Sequence, residues 1–400
     1  MPENALDELG LPLIHATAGL EAAGLQPATD RHGQSVRAWV RSLGGIQKDG
    51  VTLSGLTGRA WRFASDEGAH LGGYDAAPNP LSYVSVGMAA SFMTELRALA
   101  SARAITLDDP VLTLENFYYR DGSFPKGTMI SGALSPEVSL TCRSGADPAD
   151  LQRLLIDAIA AAPVNGLVRD EKISLFTLTH NGRQIDPVTL AALPGPALAD
   201  PGDPIAGLTP VLNDAATGPL AEKTLSEEDM VRRIQANPPE APVLDGAKKL
   251  LHLRTTCRVR PDGTYDCLRE QYAQASASWR FVVDDRPDAR AAIAPDSMSH
   301  FSIGVAFCFM TQIGRYAHMA KLPLDGYRVV QDIHFTKGGA SSGTGEAGTA
   351  DPVETHVFMD SGSDDDTARG IAAVAERTCF LHALCRDRAK VKVRGMPVST

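Results

Sequence analysis

Residues 304–312 read GVAFCFMTQ, and residues 87–95 read GMAASFMTE. The two words agree at five of nine positions, and where the later copy has Cys308 the earlier has Ser91. They align without a gap at an offset of 217, and the match spreads outward. Pro78 pairs with Pro295, Gly87 with Gly304, and Phe92-Met93-Thr94 with Phe309-Met310-Thr311. The SGAD of 144–147 faces the SGSD of 361–364 on the same offset, and Trp61-Arg62-Phe63 returns one residue out of step as Trp279-Arg280-Phe281. Matches this distant on one offset indicate a tandem duplication, over residues 36–185 and 250–395.

Outside the copies the composition changes. Residues 186–249 are rich in proline, which fixes φ and removes a backbone donor, so they read as an extended connector. One short helix is expected inside it, because Ser226 and Asp229 form a helix-start signature ahead of Met230, Val231 and Ile234. Residues 1–35 read as an N-terminal arm with one helix near 15–24.

Within each copy the order is the same. Alternating segments come first: LLHLRTTCRVR, the turn Pro261-Asp262-Gly263 and TYDCLREQYA in the second copy, then the strand around Trp279. An apolar stretch too long for a strand follows (298–320, and 78–101 in the first copy) and reads as a buried helix. Strands near 326–336 and 353–360, a helix over 365–385 (148–162 in the first copy) and a short closing strand complete an α+β pattern. The glycine-rich segment 337–351 reads as a flexible loop. No GK[ST] helix opening follows it, so it is not a phosphate cradle.

The chain of 400 residues is 44% apolar and 22% charged, with a formal charge of −10 and no run of Lys or Arg. That balance argues against nucleic acid or an anionic membrane as the main partner. The N-terminus lacks a basic-then-apolar leader, and no stretch of about 18 apolar residues exists. Six cysteines in this length are not a disulfide framework, so a cytoplasmic chain with reduced thiols is expected.

Cys142 reads as a small core residue, and Cys385 as an ordinary buried thiol. Cys257 and Cys267 flank the Pro-Asp-Gly turn, where a hairpin would set them directly across from each other. Cys308 and Cys379 differ from these four. They fall on Ser91 and Ala162 of the first copy, so both thiols are present in one copy and both absent from the other. A thiol reacts as thiolate, and apolar burial opposes that form, so a reactive Cys308 needs a cation or donor nearby. Candidates are His300, eight residues earlier in the same helix, His382, three residues after Cys379, and Arg258 with its strand neighbours Arg254, Arg260 and Arg280.

These pieces carry a resemblance. APDSMSHFSIGVAFCFMTQ (294–312), followed some 70 residues on by AERTCFLHALC (375–385), resembles the OsmC/Ohr family, and GGYDAAPNPLSYVSVGMAASFMTEL (72–96) is similar to that family's usual opening of the first helix. The resemblance implies antiparallel sheets wrapped around two central helices, built here by two repeats as an intramolecular pseudo-dimer. It implies Cys308 as the thiol that attacks a hydroperoxide and Cys379 as the thiol that resolves the sulfenate to a disulfide. An external thiol reductant would close the cycle, with no bound cofactor or metal. The chain departs from the family pattern at three places. Met298 and Leu81 stand where peroxidase members carry Glu, Gly44-Gly45-Ile46 replaces Gly-Gly-Arg, and Phe380 follows the second cysteine in place of Pro.

The expected function is therefore a cysteine-dependent enzyme acting on a small molecule. Thiol peroxidase chemistry comes first, and desulfhydration of a small thiocarbonyl compound is the alternative. A binding protein with inert thiols, and a metal site from Cys379, His382 and Cys385, are the readings from other classes. A homodimer of such pseudo-dimers would be the next level of assembly.

Overall fold

A computed structural model of the chain describes residues 4–124, 126–212, 218–246, 248–288, 291–395 and 398–399. The arm holds α1 (Ala5–Leu9) and β1 (Ile14–Ala18). The first copy comprises β2 (Gly33–Gly44), β3 (Gln47–Ser54), β4 (Ala60–Ser65), α2 (Pro80–Ala102), β5 (Asp108–Asp121), β6 (Ile130–Ala133), β7 (Glu137–Arg143), α3 (Pro148–Ala161), α4 (Asn165–Arg169), β8 (Leu175–His180) and β9 (Arg183–Ile185). The connector holds β10 (Thr209–Val211), β11 (Ala221–Leu225) and α5 (Glu227–Ala236). The second copy comprises β12 (Lys249–Val259), β13 (Tyr265–Ala273), β14 (Ser276–Val283), α6 (Ser297–Ala320), β15 (Gly326–Thr336), β16 (Glu354–Asp360), α7 (Asp365–Thr378), α8 (Phe380–Arg386), β17 (Lys392–Val393) and β18 (Val398–Ser399).

The helix starts follow from local chemistry and repeat at the offset of the sequence words. Asn79 caps α2 by accepting from Ser82 N–H, and Asp296 caps α6 by accepting from Ser299 N–H. Asp147 and Asp364 cap α3 and α7 in the same way. The sheets interlock the two copies. One runs β10-β1-β4-β3-β2-β15-β16-β8-β9, and the other β11-β14-β13-β12-β5-β7-β17 with β6 and β18 at its side. Each sheet joins the opening strands of one copy to the later strands of the other, across β2–β15 and β12–β5. Helices α2 and α6 pack against each other between the sheets, within a core drawn from both copies.

Four features differ from the sequence reading. Residues 14–18 form a strand rather than a helix, because Ile14-His15-Ala16 finds an edge of β4 to pair with. The connector is not merely a spacer: β10 and β11 extend one sheet each. The sheets are antiparallel apart from the parallel joins of β8 to β16 and of β17 and β18 to β7. The loop at 337–351 is tied down, with the Ala340 and Ser341 backbone N–H groups donating to Glu95 at 2.7 and 3.0 Å.

Candidate active site

Cys308 lies mid-way along α6, a helix that packs on β2 and β3 of the first copy. The helix expected over 365–385 breaks at Cys379, which stands between α7 and α8 with extended backbone (ψ 116°). The break turns the Cys379 sulfur toward two partners at once. The backbone N–H groups of Leu381 and His382 donate to it, and it is in hydrogen-bonding contact with Cys308. Burial, and then the neighbouring Cys308, push the Cys379 thiol well above its usual range. Both cysteines are free thiols, with Cys308 3% exposed and Cys379 fully buried.

The charged groups at this sulfur pair come from the other copy. Lys48 of β3 is buried, donates to the Ile46 carbonyl at 2.8 Å, and lies within electrostatic reach of Cys308, Glu67 and Asp66. Burial pulls its pKa down, against the pull of those anionic neighbours. Glu67 follows β4; burial pushes its carboxyl up, opposed first by Lys48. Thr311, one turn beyond Cys308, places its hydroxyl 3.3 Å from Glu67 Oε1. Arg315, one further turn along that face, also feels Glu67 and lies over the Phe124 ring.

Glu67 is held by a tightly folded loop. Asp66 accepts the backbone N–H groups of Glu67, Tyr74 and Ala76 at 2.8–3.1 Å, and a side chain at Gly73 would run into the Glu67 carbonyl. Tyr118 adds a buried hydroxyl without a hydrogen-bond partner among the described residues, close enough to interact with Cys308, Cys379 and Cys385. A cleft of about 1160 Å³ adjoins the site. It shares Ile46 and Arg315 with it and is walled by Leu71, Leu322, Leu324 and Tyr327.

A lysine and a carboxylate, both driven by burial toward their neutral forms, can pass a proton to and from a neighbouring thiol. The second sulfur is placed to capture whatever forms on the first. The arrangement therefore suits nucleophilic sulfur chemistry on a small molecule.

The other candidate residues lie elsewhere. His300 is fully buried among the rings of Phe63, Tyr83 and Phe281, and its Nδ1 meets the Asp296 carbonyl at 3.0 Å. Burial pulls its pKa down to about 4, so it supplies no cation. His382 packs against Phe176 and Phe309 and receives a bond from Gln331 Nε2 at 3.3 Å, with its pKa pulled down to about 3 by burial. It serves Cys379 through its backbone N–H, not its ring. Arg258 is exposed on the outer face of the second sheet, in a groove with Glu137, Arg254, Asp266 and Arg280. Cys257 and Cys267 sit directly opposite each other in the β12–β13 ladder as free thiols.

Among the described residues, Cys379, His382 and Cys385 do not bring ligand atoms together. Asp332, His334 and Glu354 do so on the first sheet, but Arg37 and Arg31 already grip the two carboxylates.

Lys48 and Glu67 escaped the sequence reading, although a signal for each was present. Lys48 is two residues beyond Ile46, hence on the same face of the hairpin arm. Asp66-Glu67 follows Trp61-Arg62-Phe63 as Asp284-Asp285 follows Trp279-Arg280-Phe281, so an acidic pair recurs with the repeated word.

Residues 288–394, which carry both thiols of this site, match the family described as OsmC-like protein, so the second half of the chain contains an OsmC-like domain. Among solved structures, an OsmC-like hydroperoxide resistance protein from Jannaschia sp. CCS1 is 19% identical over a match covering 38% of this chain and 99% of that chain, with a TM-score of 0.26. No curated protein matches the chain. Among the described residues no helix is long and apolar enough to cross a membrane.

Proposed function

We propose that the chain is a thiol peroxidase that reduces organic hydroperoxides. The reading rests above all on one observation: Cys308 and Cys379 are in contact, with Lys48 and Glu67 of the other copy beside them. Lys48 takes the Cys308 proton. The thiolate attacks the terminal peroxide oxygen, the O–O bond breaks, and the departing alkoxide receives the proton back as an alcohol. Cys308 is left as sulfenic acid. The Cys379 sulfur then attacks the Cys308 sulfur, water leaves, and a disulfide forms. A small external dithiol returns both sulfurs to thiols by exchange. The apolar side of the adjoining cleft, with Leu71, Leu322 and Leu324, suits the alkyl part of the substrate.

The test is consumption of tert-butyl or cumene hydroperoxide with dithiothreitol as reductant, with mass spectrometry of the oxidised chain. A Cys308–Cys379 disulfide and turnover are expected, and Lys48→Met should lower kcat/KM about 10²-fold. No turnover would overturn this reading, and no turnover together with sulfide release from a thioamide would replace it with the desulfhydrase one.

A further inference from the structure

The fold builds its reaction site twice, and the second copy of the place is a cavity. Its volume is about 370 Å³, within the range of small-molecule sites. Ser91 lines it where Cys308 stands on the other side, and Thr94, Asp285 and Tyr265 take the places of Thr311, Glu67 and Lys48. The internal wiring is kept. The Thr94 hydroxyl lies 2.8 Å from Asp285 Oδ2 and 3.0 Å from the Tyr265 hydroxyl. The sulfur and the lysine are absent, and the space is open.

Two observations point to an occupant. The first is an excess of carboxylate. Glu95 is taken up by Ala340 and Ser341, and Asp284 by Arg286. Asp285 accepts from the Ser297 N–H and the Thr94 hydroxyl, and Asp296 from the Ser299 N–H, but among the described residues neither is ion-paired, and the four carboxylates of the wall outnumber its two cations, Arg286 and Lys337. Burial, and then the charge of Asp285, push Asp296 up to about 6. The second is the Ser91 hydroxyl, on a residue 2% exposed, which lines the cavity without a hydrogen-bond partner among the described residues. A buried polar group of this kind calls for a partner. Facing these are apolar surfaces from Trp61, Met298, Ala294 and Pro163. Among the described residues the acidic groups here do not bring three ligand atoms to a common point, which disfavours a metal ion in this space.

We propose that this cavity binds a small organic ammonium compound, its cation held by Asp285 and Asp296 and its apolar body against Trp61 and Met298. The site is independent of the thiol pair and has no sulfur chemistry of its own.

The test is isothermal titration of the full chain with n-pentylammonium chloride, with 1-pentanol and sodium pentanoate as neutral and anionic probes. One ammonium per chain should bind, at least tenfold more tightly than either control. The double variant Asp285→Asn with Asp296→Ser, whose serine keeps a cap for α6, should weaken binding tenfold or more and leave hydroperoxide turnover unchanged. Ser91→Leu, which fills the space without touching the caps, should also abolish binding and serves if the double variant does not fold. Equal binding of pentanol, or undiminished ammonium binding in a folded variant, would overturn the proposal.

Discussion

The two ends of the central helix pair carry the same construction with different contents. At one end Thr311 of α6 reaches Glu67 from the loop after β4, and at the other Thr94 of α2 reaches Asp285 from the loop after β14. Hydroxyl, carboxylate and interlocked strands are common to both, so they belong to the fold. Cys308, Cys379 and Lys48 are answered by Ser91, Ala162 and Tyr265. The comparison teaches that the two ends differ by three side chains rather than by architecture, and on the proposed reading those three carry the reactivity. It also shows why neither copy suffices alone: each end takes its helix from one copy and its carboxylate from the other.

The sharpest way to break this comparison is to equalise the helix positions. Cys308→Ser should remove hydroperoxide turnover, by about 10³-fold or more, since the attacking atom itself is lost. Ser91→Ala should leave the rate within twofold. Steady-state assays of the two variants decide the matter, and comparable losses from both would mean that the ends are not functionally distinct.

A second comparison concerns His300, which falls on Tyr83 of the first copy. In the unfolded chain a histidine takes a proton near pH 6.5, whereas His300 in the fold does so only near 4. Between those values the unfolded state binds more protons, so stability falls as the pH drops from about 6.5 toward 4, by roughly 3 kcal/mol for this group. Phenylalanine there would imitate the ring and lose the titration. Urea midpoints at pH 7, 5.5 and 4 should therefore fall less steeply for His300→Phe than for the parent chain. Parallel curves would show that His300 is not the group responsible.

The sequence was most legible where a pattern repeats. The words around Cys308 and Ser91 gave the helix pair, and the Cys257–Cys267 opposition followed from the hairpin turn. The site was half legible. A pair of cysteines can be followed by comparing copies, but the lysine beside them lies 260 residues away on a strand of the other copy, and no local period connects Lys48 to Cys308. His300, His382 and Arg258 were attractive because they are near in sequence or belong to the same copy. The interlocked topology reverses that expectation: β3, not β12, packs on α6. The strand at 14–18 was misread for a similar reason, since its partner β4 lies outside any local window.

The smallest of the expected effects bears on how the two copies meet. Gly87 and Gly304 occupy the same place in α2 and α6, and each is where the opposite helix comes nearest. A Cβ at Gly87 would lie 2.6 Å from the Ser297 carbonyl oxygen and 2.7 Å from the Phe301 nitrogen. One at Gly304 would lie 2.8 Å from a Val84 methyl and 2.9 Å from both the Pro80 carbonyl oxygen and the Val84 nitrogen. Backbone atoms cannot turn aside as a long side chain can, so the helices themselves must separate. Such overpacking costs about 1–3 kcal/mol, set against the roughly 1 kcal/mol that alanine gains over glycine within a helix. Gly87→Ala and Gly304→Ala should both lower the urea midpoint, by amounts equivalent to up to about 2 kcal/mol. Gly87→Ala should lower it slightly more, because its closest contacts are both backbone. A neutral or stabilising result at either glycine would mean that the helices can move apart there without cost, and that the close approach is incidental to the joining of the copies.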